Sequence, residues 1–268
     1  MRTRLAHLVL PCLIPLTGCA ALGTVNSVPS AASLSGNWQI QSGTSITSAP
    51  AGQIFLVGSM QTQDSQVTAT FNTVAVCPVR PIINYTGTYN ATTGALTLNV
   101  TPAVPLLATV NVQLTIPSNP SAVATGTTSS IGALCNLTSG TLPAVGIEVP
   151  PLTGTYTGTV AAANATTTPA TAVATLTLTQ SATANASAQF PVTGTLQFTA
   201  STSACSSTTP VTGTISGTTF TLTSAANSVT ISGFDASAGN GLSAVDITFA
   251  AGPCTGSTTA ATYAGTLQ

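Results

Sequence analysis

The chain has 268 residues, of which only 3% are charged, and its formal net charge is −1, whereas an ordinary soluble domain has about 25% charged residues. It contains no lysine, and its single histidine is His7. Beyond the amino-terminal segment these counts exclude a Ser-His-Asp triad, a Cys-His pair and a Schiff-base lysine. They also exclude a basic nucleic-acid surface. We therefore expect no catalytic residues, no cofactor, no metal site and no nucleic-acid partner.

The first nineteen residues have the layout of an export signal. Arg2 and Arg4 precede an apolar run from residue 5 to 16, which is too short for a permanent membrane-spanning helix. The run ends in Leu16-Thr17-Gly18-Cys19, which resembles the lipobox of bacterial lipoproteins. The resemblance implies cleavage before Cys19 and lipid on its sulfur and amino group. A membrane is then the expected partner through Cys19, and Ala20 after it resembles the signal for the outer membrane.

Turn-forming residues divide the remaining chain. We expect residues 1–18 to be the signal peptide and residues 19–33 a lipidated flexible tether. Residues 34–150 and 151–268 are then two β domains, with Pro150 and Pro151 at the boundary.

An internal repeat supports this division. Gly36-Asn37-Trp38 opens the first copy and Gly154-Thr155-Tyr156 the second, and Thr-Gly-Thr recurs at 86–88 and 212–214. A leucine stands eight residues after each Thr-Gly-Thr, at Leu96 and Leu222. The chain therefore reads as a duplication. The Gly-x-Trp and Gly-x-Tyr openings resemble the first strand of lipocalin-like and avidin-like barrels.

Apolar residues alternate with polar ones throughout both copies, which is typical of half-buried β-strands. In chain order the alternating runs are 67–71, 83–89, 96–100, 110–116, 175–179, 211–215, 220–222, 229–231, 245–249 and 263–267. They predict an all-β fold with two tandem antiparallel domains of about eight strands each. We favour a lipocalin-like meander barrel, because closure leaves no exposed strand edges, and keep a β-sandwich as the alternative.

Four further cysteines predict disulfides in an exported chain. Four cysteines allow three pairings, and the repeat favours Cys77 with Cys135 and Cys205 with Cys254, one bridge per copy. A zinc site would need closely spaced cysteine pairs, which the sequence lacks.

Three other features have a functional and a structural interpretation. Trp38 could stack a ligand, but a single Trp that opens a strand more often plugs a β core. Asp235 and Asp246 could act as a glycosidase pair, but they look like a turn residue and a solvated strand residue. The Thr-x-Thr runs at 175–179 and 219–223 could bind ice or glycans, but threonine is also the ordinary outward residue of a sheet.

Together these features predict a lipid-anchored lipoprotein of the cell envelope that acts as a non-catalytic structural or interaction module. One alternative is a barrel that binds a small apolar ligand, and another is a surface adhesin with threonine-rich faces.

Overall fold

The structure, a computed structural model, describes residues 34–46, 55–73, 82–101, 109–118, 122–131, 140–164, 167, 169–201, 205–226, 228–235, 241–250 and 260–268. These residues form sixteen strands in two closed barrels of eight antiparallel strands each. The predicted all-β fold with two tandem meander barrels is confirmed. A sandwich is excluded, because the first strand of each barrel pairs with the last. No helix in the described part of the chain is long and apolar enough to cross a membrane.

The first barrel contains strands β1 to β8, each of which pairs with its neighbours in chain order. Their bounds are β1 Gly36–Ser42, β2 Phe55–Gln63, β3 Gln66–Thr73, β4 Ile82–Asn90, β5 Ala95–Val100, β6 Thr109–Thr115, β7 Ala124–Ile131 and β8 Gly140–Val149.

The second barrel repeats this arrangement with strands β9 to β16. Their bounds are β9 Gly154–Ala162, β10 Thr171–Gln180, β11 Phe190–Ala200, β12 Ser207–Ser216, β13 Thr219–Thr223, β14 Val229–Asp235, β15 Leu242–Phe249 and β16 Ala261–Leu267.

Alternation places the apolar side chains inside each barrel, where they form one core cluster per barrel. The predicted runs supply most of these side chains, and Trp38 belongs to the first core with 2% of its surface exposed. Several inward side chains have no exposed surface: Ile40, Phe71, Leu98 and Val112 in the first barrel, and Leu176, Leu196, Ile231 and Ile247 in the second. A space wide enough for a water molecule would leave its lining accessible to water. These parts of the interiors are therefore filled by the protein's own side chains.

The internal repeat is also visible in the topology. The two Thr-Gly-Thr motifs occupy the fourth strand of their barrels, β4 and β12, and both glycines face a neighbouring backbone. A Cβ on Gly87 would lie 1.8 Å from the Thr97 carbonyl oxygen, and one on Gly213 would lie 1.9 Å from that of Thr221. Gly87 pairs with Leu98 and Gly213 with Leu222. The structural counterpart of Leu222 is thus Leu98 rather than Leu96, because the β4–β5 turn is two residues longer than the β12–β13 turn.

Candidate functional site

The two barrels meet where the β12–β13 turn of the second reaches the outer wall of the first. The turn residues are Gly217 and Thr218, and the facing strand is β1. The Asn37 side chain donates to the Gly217 carbonyl oxygen at 2.8 Å and accepts from the Gly217 amide at 2.9 Å. One amide side chain thereby satisfies both backbone groups of Gly217, in the way that a neighbouring strand would.

Two glutamines extend this contact along β1. Gln39 Oε1 accepts hydrogen bonds from the Thr218 amide at 3.2 Å and from its hydroxyl at 3.1 Å. Gln39 Nε2 donates to Gln41 Oε1 at 3.3 Å, and Gln41 Nε2 donates to the Ser45 carbonyl oxygen at 2.8 Å. Asn37, Gln39 and Gln41 are only 1–4% exposed, and these bonds compensate the cost of burying three amides. We call these three residues together with Gly217 and Thr218 the junction.

Apolar contacts complete the attachment of the barrels. Ile147 and Val149 pair with Gln39 and Asn37 across the β1–β8 ladder, so all four project from the same outer wall. Ile147 and Val149 nevertheless belong to the core cluster of the second barrel, together with Leu152 from the connection between the barrels. The wall of the first barrel therefore closes one end of the second, and the two form one packed unit.

A groove of about 390 Å³ lies beside the junction, between the barrels. The first barrel contributes outward residues of β2 and β3, and the second contributes the end of the β10–β11 connection and the outer faces of β12 and β13. We call it the seam groove. It is lined by Phe55, Val57, Asn72, Ser187, Gln189, Thr214, Ser216, Thr219 and Thr221.

A second hollow of about 350 Å³ follows the same seam. Further outward residues of β2 to β4 line it on one side, and the middle of the β10–β11 connection lines it on the other. Between the two hollows the Asn72 side chain donates a hydrogen bond to the Ser187 carbonyl oxygen. The lining of the second hollow is Ser59, Gln61, Thr68, Ala69, Thr70, Ile82, Asn84, Ala184, Asn185 and Ala186.

Two carboxyl groups have raised pKa values. Burial raises the pKa of Glu148, which is opposite Trp38 in the β1–β8 register, to about 7. Burial likewise raises the pKa of Asp235 to about 6. Burial, and then the charge of Asp235, raise the pKa of Tyr156. Perturbed carboxyl groups can mark a functional site, but no cluster of metal-binding side chains occurs among the residues that the structure describes.

The prediction for Asp235 as a turn residue is wrong. Asp235 is the last residue of β14 and only 4% exposed, because the inward alternation of Ile231 and Gly233 continues to it. Asp246 is exposed on β15, as predicted for a solvated strand residue. The two carboxyl groups therefore occupy opposite faces of the barrel wall, and this separates the pair that a glycosidase would need on one side of its substrate.

The structure places only one of the predicted cysteines. Cys205 is 1% exposed and precedes β12. Cys19, Cys77, Cys135 and Cys254 lie outside the described residues, as does Arg80, so both disulfides stay predictions. Cys77 lies between β3 and β4 in the sequence, and Cys135 between β7 and β8. Because the strands alternate in direction around the barrel, the ends of these four strands that flank the two cysteines lie at the same end of the first barrel. The ends of β11, β12, β15 and β16 that flank Cys205 and Cys254 likewise lie at one end of the second barrel.

The predicted threonine runs face outward on the second barrel. Thr175 and Thr177 pair with Thr157 and Thr155 across the β9–β10 ladder, and their hydroxyl oxygens are 3.0 and 3.3 Å apart, respectively. Sequence reasoning missed the junction and the seam groove, because their polar residues also fit a solvated strand face.

The fold and the junction define a class of protein: two tandem, closed, eight-stranded antiparallel barrels joined side to end through uncharged side chains. Comparison with protein-family models, with curated proteins and with solved structures finds no match to this chain.

Proposed function

We propose that the chain is a lipid-anchored lipoprotein of the cell envelope whose two barrels act as a rigid, non-catalytic structural or interaction module. The observation that carries the proposal is the junction, in which the buried Asn37 and Gln39 side chains form hydrogen bonds to the second barrel while Gln41 holds Gln39 in place. A fixed pair of barrels presents one continuous outer surface, which suits a part that positions or contacts other molecules.

The chemistry of the chain supports a non-catalytic role. The described side chains include no histidine, lysine or arginine, and the two carboxyl groups with raised pKa values, those of Glu148 and Asp235, belong to different barrels. The filled parts of the interiors count against binding of an apolar ligand at those places inside the barrels. Function then depends on the outer surfaces and on the seam between the barrels.

The lipid anchor is tested by replacing Cys19. In cells grown with a clickable palmitate analogue, the wild-type chain is expected to be labelled and to fractionate with the outer membrane. Cys19→Ser is expected to lose the label and to become soluble. Cys12→Ser is the matched control, because it removes a cysteine of the same signal segment without touching the lipobox. Equal labelling of wild type and Cys19→Ser would refute the anchor.

An adhesin is the second candidate. The outward threonine pairs Thr155–Thr177 and Thr157–Thr175, which we call the threonine wall, favour it. The hydroxyl pairs of β9 and β10 repeat on an uncharged outer surface, which suits contact with a regular surface rather than with a small molecule. Binding of whole cells to an immobilised polysaccharide, compared between wild type and a Thr155→Val and Thr175→Val double variant, tests this role. Equal adhesion of both strains would remove the threonine wall from consideration.

A further inference from the structure

We propose that the seam groove binds a neutral, polyhydroxylated ligand, the chemical class of uncharged oligosaccharides. The inference rests on the proposed role as an interaction module and names what that module contacts. Its basis is the lining of the groove, which both barrels supply and which exists only because the junction holds them together.

Hydrogen-bonding capacity without charge is the first argument. The lining offers side-chain amides from Asn72 and Gln189, and hydroxyls from the serines and threonines of β12 and β13. None of its residues is ionisable. Amides and hydroxyls both donate and accept hydrogen bonds, so they match sugar hydroxyls, which also do both. A charged ligand would instead have to give up its hydration in a groove that has no counter-charge to compensate it.

An incompletely bonded hydroxyl in the lining is the second argument. Ser216 Oγ is buried, yet it makes no hydrogen bond to any residue that the structure describes. A buried hydroxyl that has lost water without gaining a partner is destabilising. Ser216 follows directly on inward Ile215 and precedes the junction turn, and its side chain belongs to the groove. Because Ser216 Oγ has almost no accessible surface, a ligand hydroxyl can reach it only when the neighbouring side chains shift, and the hydrogen bond gained would offset the cost of that shift.

The aromatic ring of Phe55 is the third argument. Phe55 and Val57 are the apolar part of the lining and lie on the same outer face of β2. Sugar rings have one face of C–H bonds, which packs on a flat aromatic ring, while their hydroxyls project sideways. A ring beside a set of amides and hydroxyls is the combination that such a ligand requires, since pockets fix small molecules with apolar surface and a few placed polar groups.

Size and shape indicate a short oligosaccharide. The groove volume of about 390 Å³ falls at the small end of ligand pockets, which span roughly 300–1,000 Å³. The second hollow continues along the same seam beyond the Asn72–Ser187 contact and is also lined by hydroxyls and amides. A linear glycan could therefore place neighbouring units in the two hollows.

The experiment is a titration of the full lipidated chain with cellobiose and with N,N′-diacetylchitobiose. The detergent must carry no sugar, because alkyl glycosides present the same chemistry. Saturation-transfer NMR detects contact, and calorimetry gives the affinity. For at least one disaccharide we expect a Kd between about 10 µM and 1 mM, as befits a small neutral ligand.

Variants locate the binding site. Phe55→Ala is expected to weaken binding about tenfold through loss of the aromatic contact, and Phe55→Tyr to retain it. Ser216→Ala is expected to weaken binding about fivefold through loss of one hydrogen bond. Thr115→Val, on the exposed outer wall of β6 in the first barrel, is the matched control and should bind as wild type does, because Thr115 lines neither hollow. Unchanged Trp38 fluorescence shows that the first barrel remains folded in each variant.

Two results would overturn the proposal. The first is the absence of saturation transfer to either disaccharide. The second is binding that survives both Phe55→Ala and Ser216→Ala, or that is lost in Thr115→Val, since the sugar would then contact another surface. Neither result bears on palmitate labelling of Cys19, so failure of the groove and failure of the lipid anchor are distinguishable.

Discussion

Replacement of Gly217 by alanine tests the junction most directly. Gly217 has φ +56°, a left-handed conformation that costs an L-residue about 1–2 kcal/mol. An added Cβ would lie 2.6 Å from Val57 Cγ1 and 2.8 Å from Gln39 Oε1, whereas carbon atoms in contact are normally about 3.5–4.0 Å apart. The turn must therefore move away from β1.

That movement breaks the two hydrogen bonds between Gly217 and Asn37 and leaves a buried amide without partners, at a cost of about 1–3 kcal/mol. Together with the conformational cost, Gly217→Ala should lower the free energy of unfolding by about 2–5 kcal/mol. Gly94→Ala is the matched control: Gly94, at φ +72° in the β4–β5 turn, lies away from the junction. It should lower the free energy of unfolding without separating the unfolding of the two barrels.

Urea denaturation provides the assay, because the two barrels can be followed separately. Trp38 is the only tryptophan and reports the first barrel through its fluorescence, while far-UV circular dichroism reports both. In the wild type the junction couples the barrels, so the two transitions should coincide. In Gly217→Ala they should separate. The reasoning is refuted if Gly217→Ala unfolds like Gly94→Ala with coincident transitions.

A double variant identifies the clash itself. Val57→Ala removes the Cγ1 that the new Cβ would meet, so it should offset part of the loss when it is combined with Gly217→Ala. In the double-mutant cycle, the two substitutions together should cost about 1 kcal/mol less than the sum of their separate effects on the free energy of unfolding. If the two effects simply add, the loss in Gly217→Ala comes from the turn conformation alone.

Two further predictions concern ionisation and the cores. Since burial raises the pKa of Glu148 from 4.5 to about 7, the folded state binds more protons than the unfolded state between these values, and stability should fall as pH rises from about 4.5 to 7. Urea titrations should then find Glu148→Gln more stable than wild type at pH 7.5 and equal to it at pH 4; equal stability at both would contradict the shift. The Tyr85 hydroxyl is buried with no hydrogen bond to a described residue, whereas Tyr263 donates to the Pro169 carbonyl oxygen at 3.1 Å. Thermal unfolding should show Tyr85→Phe stabilised by about 1 kcal/mol and Tyr263→Phe destabilised by a similar amount, and changes of the same sign would contradict this assignment.

The barrel interiors could be predicted from the sequence because alternation alone decides which face of a strand is buried. Phe71 and Tyr85, for example, lie on strand faces that the alternation predicts to be apolar. Their rings pack edge to face, with ring centroids 5.6 Å apart. The number of strands fitted either a barrel or a sandwich, and the scarcity of charges to protect an open edge favoured the closed barrel. The internal repeat then extended the same interpretation to the second copy.

The junction could not be predicted, because alternation marks only the apolar face of a strand. On β1 it assigns Trp38 and Ile40 to the core and leaves Asn37 and Gln39 for solvent. Both amides are buried instead, since a turn 180 residues later in the chain supplies their partners. A buried amide differs from a solvated one only in its tertiary contacts, and local sequence does not encode such contacts.

The chemistry of the junction determines how the protein responds to its surroundings. Amides, hydroxyls and aliphatic side chains have no charge that salt could screen or that pH could change. The attachment of the barrels should therefore withstand changes in ionic strength, and the groove that depends on it should keep its shape. The two carboxyl groups with raised pKa values, Glu148 and Asp235, lie in different barrels, so acidification should stabilise both barrels.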